Sequence, residues 1–249
     1  MRDAPTWRQH LAGLDGPFMV EQSVKLAHDR IETDRCLVSY PRRAFYPGPR
    51  STLSDILAAL DAPPETAALL DLQTDAVQIH FGKDGAVRKC YLEFARDRAP
   101  EPDLIFLAMK WRAGAVRTDR YFGRAGWSRE RQVALISDLT LDPSMSRAAR
   151  TALALSADGD PDGQAILLDI RGQGNARRSV DISIVDAGLP VSALTDLLAP
   201  VWQGFGADWS AFSAENGDRQ ATHIAFGRAG DGAPFHTLYF GARQETRHG

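Results

Sequence analysis

Apolar and polar residues alternate along a series of short segments, which is the pattern of β-strands with one buried face. In residues 85–94, Leu92 falls on one side of the strand, whereas Lys89 and Tyr91 fall on the other. Such segments come in pairs joined by glycine beside Asp, Asn or Gln, which favours tight hairpin turns. The sequence therefore predicts five β-hairpins, in residues 18–41 (with the turn in 28–34), 76–94, 104–123, 165–185 and 222–241.

Helical spacing of apolar residues separates most of these hairpins. Leu53, Ile56 and Leu60 recur at that spacing after a Ser-Thr pair that can cap a helix. Pro200 is expected to kink or end the last helix. Helices are predicted in residues 51–62, 63–72, 128–139, 144–157 and 190–205, with a further short helix near the N-terminus.

The order of these elements restricts the fold. Connections within the hairpins are too short for parallel strands, and closing ten antiparallel strands into a barrel removes the open sheet edges. If the helices cover the apolar outer face, the polar faces point inward. We therefore predict an α+β fold, a ten-stranded antiparallel β-barrel surrounded by helices and built from ββ/α repeats, with residues 1–249 as a single domain. A sheet whose polar face meets water is the competing interpretation.

The inward faces predicted from the alternation are rich in charge. Gln78 and His80 share one face of their predicted strand, and Asp169 and Arg171 share one face of theirs. The last strand fits two alternative inner sets, 235/237/239 or 236/238/240. The polar residues predicted to face inward are Glu21, Ser23, Lys25, Gln78, His80, Lys89, Tyr91, Glu93, Asp169, Arg171, Arg177, Ser179, Asp181 and Ser183.

Composition narrows the partners and the compartment. The chain has 249 residues, 44% of them hydrophobic and 24% charged, with a net charge of −3, as expected for a globular protein without affinity for nucleic acid or anionic membranes. No apolar run is long enough for a membrane helix, and the first residues lack a secretory signal. Cys36 and Cys90 form no CxxC motif, so we expect a reduced, cytoplasmic protein.

Familiar catalytic motifs are absent from the sequence. It contains no GxGxxG after a strand, no GxxxxGK[ST], no HExxH, no GxSxG and no DDxxD. These absences argue against nucleotide-binding, zinc-protease and serine-hydrolase chemistry and against the all-helical isoprenoid synthases.

Four hairpins resemble those of the aromatic prenyltransferases of the ABBA, or PT-barrel, family. Residues 77–94 carry a lysine two positions before a tyrosine, and residues 109–122 end in an arginine of the type that binds diphosphate. Residues 165–185 resemble an Asp-x-Ser hairpin, and residues 235–241 resemble the closing strand with its lumen tyrosine. The matching residues are Lys89, Tyr91, Arg120, Asp181, Ser183 and Tyr239.

The resemblance implies a transferase that moves a dimethylallyl or geranyl group from its diphosphate to an aromatic small molecule or a peptide side chain. Such electrophilic substitution requires cations for the diphosphate, π-faces for the allyl cation and a base for the ring proton. It implies no organic cofactor, allows Mg²⁺ at Asp181, and suggests a monomer or weak homodimer. The implied site residues are Lys25, Lys89, Arg120, Arg171 and Arg177 for diphosphate, Tyr91 and Tyr239 for the cation, and His80 or Asp169 for the proton.

Two other functions stay open. A barrel of this kind could hold an apolar or anionic ligand without turnover, or it could be a helix-covered scaffold for a protein partner. His80 and His223 would then be structural histidines, and the tryptophans would belong to the helix-packing core.

Overall fold

The computed structural model describes residues 11, 14, 16–28, 30–45, 52–139, 141–160 and 163–246. The short helix expected near the N-terminus lies outside these residues. In the first hairpin the turn is shorter than predicted, because the second strand begins at Arg30 and includes residues 31–34. Both cysteines are free.

Ten strands form a closed barrel in which every strand is antiparallel to both neighbours. Going round the barrel, the order is β1-β10-β9-β8-β7-β6-β5-β4-β3-β2, so that the first and last strands pair and leave no edge. The predicted barrel is therefore confirmed. The strands are β1 Pro17–Ala27, β2 Arg30–Pro41, β3 Ala76–Asp84, β4 Val87–Phe94, β5 Leu104–Arg112, β6 Ala115–Gly123, β7 Leu167–Gly172, β8 Arg178–Ser183, β9 Ala221–Arg228 and β10 Pro234–Thr246.

Pairs of helices connect most of the hairpins on the outside of the barrel. Only a short connection joins β4 to β5, and the last pair contains a helix that the sequence did not predict, α6. Asp208 caps the start of that helix by accepting a hydrogen bond from the Ala211 amide. The helices are α1 Leu53–Ala59, α2 Ala68–Leu72, α3 Arg129–Asp138, α4 Pro143–Gly159, α5 Thr195–Gly204 and α6 Trp209–Asn216.

The hydrophobic core lies between the helices and the outer face of the barrel. Leu153 of α4 and Ile224 of β9 are fully buried in it, as are Ile56 of α1 and Ile79 of β3. Burying each such side chain contributes about 1.5–3 kcal/mol. Because this core uses the apolar face of most strands, their polar faces are left for the lumen.

None of the helices in the described ranges is both long and apolar enough to span a membrane.

Candidate active site

Two cavities follow one another along the lumen. The first has a volume of about 40 Å³ and lies at the end of the barrel that carries the five hairpin turns. We call this end of the lumen the hairpin end. The second holds about 390 Å³ and lies toward the helical connections, which we call the helix end. The walls shared by both cavities are formed by Arg35, Lys89, Tyr91, Tyr121 and Tyr239.

The hairpin end contains two ion-pair bridges, each centred on one carboxylate that is largely shielded from solvent. In the first bridge, Asp84 Oδ2 lies 2.5 Å from Arg35 Nη1 and 3.0 Å from Lys89 Nζ. This bridge connects β2, β3 and β4, because each strand supplies one of the three residues.

The second bridge is built in the same way on the neighbouring strands. Asp119 Oδ2 of β6 lies 2.5 Å from Lys110 Nζ of β5 and 2.7 Å from Arg177 Nη1, just before β8. Asp119 has no exposed surface. Within the described part of the chain, Oδ1 of both carboxylates has no hydrogen-bond partner.

The bridges change the pKa values of their members. Burial and the neighbouring Arg35 lower the pKa of Lys89 to about 7, although Asp84 acts in the opposite direction. Burial and Arg177 likewise hold the pKa of Lys110 well below its ordinary value, against the pull of Asp119. Burial would raise the pKa of Asp84, but Lys89 and Arg35 hold it well below the usual range. Burial would also raise the pKa of Asp119, but Lys110 and Arg177 lower it, so both carboxyl groups are ionised at neutral pH.

Four rings form a closed cycle on the wall between the two ends. His80, Tyr91, Tyr121 and Phe106 meet edge to face around this aromatic quartet, with ring centroids 5.6–6.3 Å apart. The Nζ of Lys110 lies 5.6 Å from the Tyr91 ring and 5.7 Å from the Tyr121 ring. A cation thus already rests against two aromatic rings, as the ring quadrupole favours.

The helix end carries a hydrogen-bonded chain of three side chains. His80 Nδ1 lies 2.6 Å from Ser39 Oγ, and His80 Nε2 lies 3.0 Å from Glu93 Oε2. Ser39, His80 and Glu93 all line the larger cavity. Such a chain can move a proton from the cavity to an imidazole that a carboxylate stabilises.

A second histidine–carboxylate pair lines the same cavity on strands β8 and β9. Asp181 Oδ1 lies 3.1 Å from His223 Nδ1. Burial alone would lower the pKa of His223, but Asp181 raises it to about 9. Glu21, which accepts a hydrogen bond from Thr222, has a pKa raised by burial.

Comparison with known proteins identifies the architecture. No protein-family model and no curated protein matches the sequence. The fold is similar to that of AnaPT from Neosartorya fischeri, with a TM-score of 0.50, 14% identity, and coverage of 89% of this chain and 77% of AnaPT. It is also similar to NotF in complex with brevianamide F and DMSPP, with a TM-score of 0.54, 12% identity, and coverage of 89% of this chain and 79% of NotF. The chain has the PT-barrel fold.

Most of the residues expected from the sequence lie in the lumen of this PT barrel. Three of the predicted diphosphate ligands are at the hairpin end, and both predicted shielding tyrosines are in the wall between the ends. In β10 the inner set is Phe235, Thr237 and Tyr239. The residues predicted to belong to the site and found in the lumen are Lys25, His80, Lys89, Tyr91, Arg177, Asp181 and Tyr239.

Strand β7 faces the other way from the prediction. Leu168 and Ile170 line the lumen, so Asp169 and Arg171 point outward. Asp169 is 1% exposed because it is covered by two guanidinium groups, with its Oδ2 2.7 Å from Arg171 Nη2 and 3.3 Å from Arg124 Nη2. The expectation that Asp169 and Arg171 serve the lumen was wrong, because Asp169 pairs with both Arg124 and Arg171 on the outer face.

Arg120 is also outside the barrel. Its neighbour Tyr121 faces the lumen, so Arg120 points outward and pairs with Glu101 at 3.2 Å, with about the same exposure for both side chains. The expectation that Arg120 holds diphosphate was therefore wrong, because the inward-facing residue at this point of β6 is Tyr121 and not Arg120.

Asp181 does not fit a magnesium site. Its partner His223 carries a proton at neutral pH, so the pair is electrically balanced, whereas Mg²⁺ requires several free oxygen ligands. No group of three His, Cys, Asp or Glu side chains close enough to share a metal occurs among the residues that the structure describes.

Several lumen residues were missed from the sequence. Lys110 lies between Met109 and Trp111, and a single charge within an apolar strand is a signal for an inward position. Asp119 and Tyr121 were visible as the alternative face of their strand. Arg35 gave no signal, because the predicted strand began at that residue.

Proposed function

We propose that this protein is a prenyltransferase that ionises an allylic diphosphate at the hairpin end and transfers the prenyl group to an aromatic ring at the helix end. The observation that carries this proposal is the shared wall, where Lys89 and Tyr91 border both cavities. A prenyl diphosphate bound across that wall would have its phosphates among cations and its allyl carbon among aromatic rings.

Binding of the diphosphate is supported by the charge of the hairpin end. Lys25, Lys89, Lys110 and Arg177 converge on one small cavity, together with the exposed Arg117. As the carbon–oxygen bond breaks, negative charge grows on the leaving diphosphate, and cations fixed in advance stabilise it.

The allyl cation requires protection from water and a favourable electrostatic surface. The aromatic quartet and Tyr239 supply π-faces at the place where the two cavities meet. Burial raises the pKa of Tyr91 to about 12, so this tyrosine keeps its proton and does not capture the cation as a phenolate. The position of Lys110 against Tyr91 and Tyr121 supports a cation site there.

The helix end suits the acceptor and the final proton transfer. Its volume of about 390 Å³ lies within the usual range for small-ligand sites, about 300–1,000 Å³. After the acceptor ring forms its new carbon–carbon bond, the displaced ring proton passes to His80, through Ser39, and Glu93 stabilises the resulting imidazolium. The acceptor would be an aromatic small molecule or a peptide side chain, as in NotF, whose complex holds brevianamide F and DMSPP.

A second candidate function is ligand binding without turnover. Asp84 and Asp119 already pair with four of the lumen cations, so the hairpin end has fewer free charges than its residue count suggests. Such a barrel would hold an anionic or apolar ligand and release it unchanged.

Turnover separates the two candidates. The protein is mixed with dimethylallyl or geranyl diphosphate and a panel of indoles, phenols and aromatic peptides, and prenylated product is detected by mass spectrometry. Lys89→Ala should lower the rate by about 10²–10³, as for loss of one preorganised charge, whereas the outward-facing Arg120→Ala should match the wild type. No product from any pair, together with a ligand that copurifies, would favour the second candidate.

A further inference from the structure

The two carboxylates at the hairpin end are unexpected at a site for an anion. Asp84, whose side chain is 9% exposed, and Asp119, which is fully buried, lie beside the cations, and a carboxylate repels a diphosphate by the same Coulomb term that attracts lysine. A function for them must therefore outweigh this repulsion.

The lysines supply the reason. Lys89 and Lys110 are buried among arginines, and like charges together with burial drive a lysine toward its neutral form. A neutral lysine cannot neutralise an anion. Each bridge places one carboxylate oxygen against a lysine and an arginine at once, which favours the charged lysine and fixes both side chains in the cavity wall.

We propose that Asp84 and Asp119 are positioning residues, each of which keeps one lysine of the hairpin end protonated and in place so that a diphosphate can bind at neutral pH. This inference rests on the proposed function, because it requires that the hairpin end binds diphosphate. The two residues touch no substrate; they act through Lys89 and Lys110.

The charged and titratable groups around each lysine are known for the described residues. Lys89 lies among Lys25, Arg35, Asp84, Tyr91, Lys110 and Tyr239, with Glu32 paired to Lys25 and Arg35 behind them, whereas Lys110 lies among Lys89, Tyr91, Arg117, Asp119, Tyr121 and Arg177. In each set only the bridge carboxylate lies within 3.0 Å of the lysine and carries negative charge at neutral pH.

The role predicts a crossover that a purely structural role would not produce. Without Asp84, Lys89 loses its proton at lower pH, so diphosphate binding weakens earlier as the pH rises. At acid pH, however, Lys89 is protonated in both proteins, and the variant lacks a repulsive carboxylate. Asp84→Asn should therefore bind at least as tightly as the wild type at low pH and more weakly at high pH.

The experiment is calorimetric titration with inorganic pyrophosphate from about pH 5.5 to about pH 8.5. Wild-type affinity should begin to fall near pH 7, where Lys89 loses its proton. In Asp84→Asn the fall should begin about one pH unit lower. Asp119→Asn, which acts through Lys110, should shift the fall in the same direction. Asp34→Asn, which removes an exposed ion pair to Lys83 on the same two strands, should follow the wild type. The ionisation of pyrophosphate itself is common to all curves.

Lys89→Arg tests the same inference independently of whether the Asn variants fold. Arginine stays charged throughout this range, so this variant should lose the decline in affinity near pH 7. An unchanged decline in Lys89→Arg, or parallel curves for wild type and Asp84→Asn, would overturn the inference. Failure of the wild type to bind pyrophosphate at any pH would instead overturn the proposed function.

Discussion

At the hairpin end of the lumen, Asp84 and Asp119 each hold two cations, whereas at the helix end Asp181 holds a single histidine. The hairpin end keeps additional cations in a cavity of about 40 Å³. The helix end adds the carboxylates Glu21 and Glu93 around about 390 Å³. Charge and space therefore define a direction: an anionic head group is favoured at one end, and an aromatic ring has room at the other.

The difference between the two ends can be tested by removing one positively charged side chain at each end. In the absence of acceptor, water captures the allyl cation as the prenyl alcohol, and Lys110→Met should slow the accompanying release of pyrophosphate by about 10²–10³, because the leaving group loses a fixed charge. His223→Gln should leave that release close to the wild-type rate, because His223 pairs with Asp181 at the helix end and not with a group of the hairpin end. Pyrophosphate release is measured with a coupled phosphatase assay, and equal losses in the two variants would contradict the division of the lumen.

A residue outside the lumen provides the reference. Asp169→Asn removes one of the two carboxylates that pair with the buried Arg124, the other being Asp103, so the free energy of unfolding should fall by about 2 kcal/mol. Turnover per folded molecule should stay unchanged. Denaturant unfolding and activity are measured on the same samples, with the half-exposed Arg171→Ala as the milder control. A loss of turnover in fully folded Asp169→Asn would assign this residue a catalytic role.

The wall between the ends can be tested through Tyr91. Tyr91→Leu removes a π-face, and because one cation–π contact contributes about 1–2 kcal/mol, transfer should slow about tenfold. Tyr91→Phe keeps the ring and should remain close to the wild type. If Tyr91→Phe is as slow as Tyr91→Leu, the hydroxyl group and not the ring is what the reaction requires.

The smallest predicted effect concerns stability and pH at the helix end. Because Asp181 raises the pKa of His223 to about 9, the protonated pair stabilises the fold below about pH 6.5, and this stabilisation is lost as the pH rises through about 9. The Tm difference between wild type and Asp181→Asn should therefore be a few degrees at pH 6 and shrink toward pH 9. The two proteins are compared at each pH because Lys89, whose pKa is lowered, makes the stability of both rise with pH over part of this range. A constant difference would contradict the ion pair.

The barrel could be predicted because it follows from local signals. Hairpin turns fixed the strand pairs, and helical spacing supplied an outer layer, so closure was the solution that left no open edge. Helix α6 was not predicted, because its eight residues do not separate into an apolar and a polar face. Fold prediction therefore depended on turns and periods, which are properties of neighbouring residues.

The site was predicted less completely because alternation defines the two faces of a strand but not which face turns inward. In β4 the assumption that polar means inward was correct, since Lys89 and Tyr91 line the lumen. In β7 it failed, because Arg124, from a distant part of the chain, buries Asp169 on the outside. Ion pairs such as Asp119–Arg177 are likewise formed between residues of different hairpins, which only the folded barrel brings together.

The central claim is that a prenyl diphosphate lies across the shared wall with its phosphates at the hairpin end. A crystal structure with a non-hydrolysable thiolo-diphosphate analogue tests it most directly. We predict diphosphate within hydrogen-bonding distance of Lys89 and Arg177, and the allyl carbon against Tyr91 and Tyr239. Diphosphate bound instead beside His80 and His223, at the helix end, would contradict the claim.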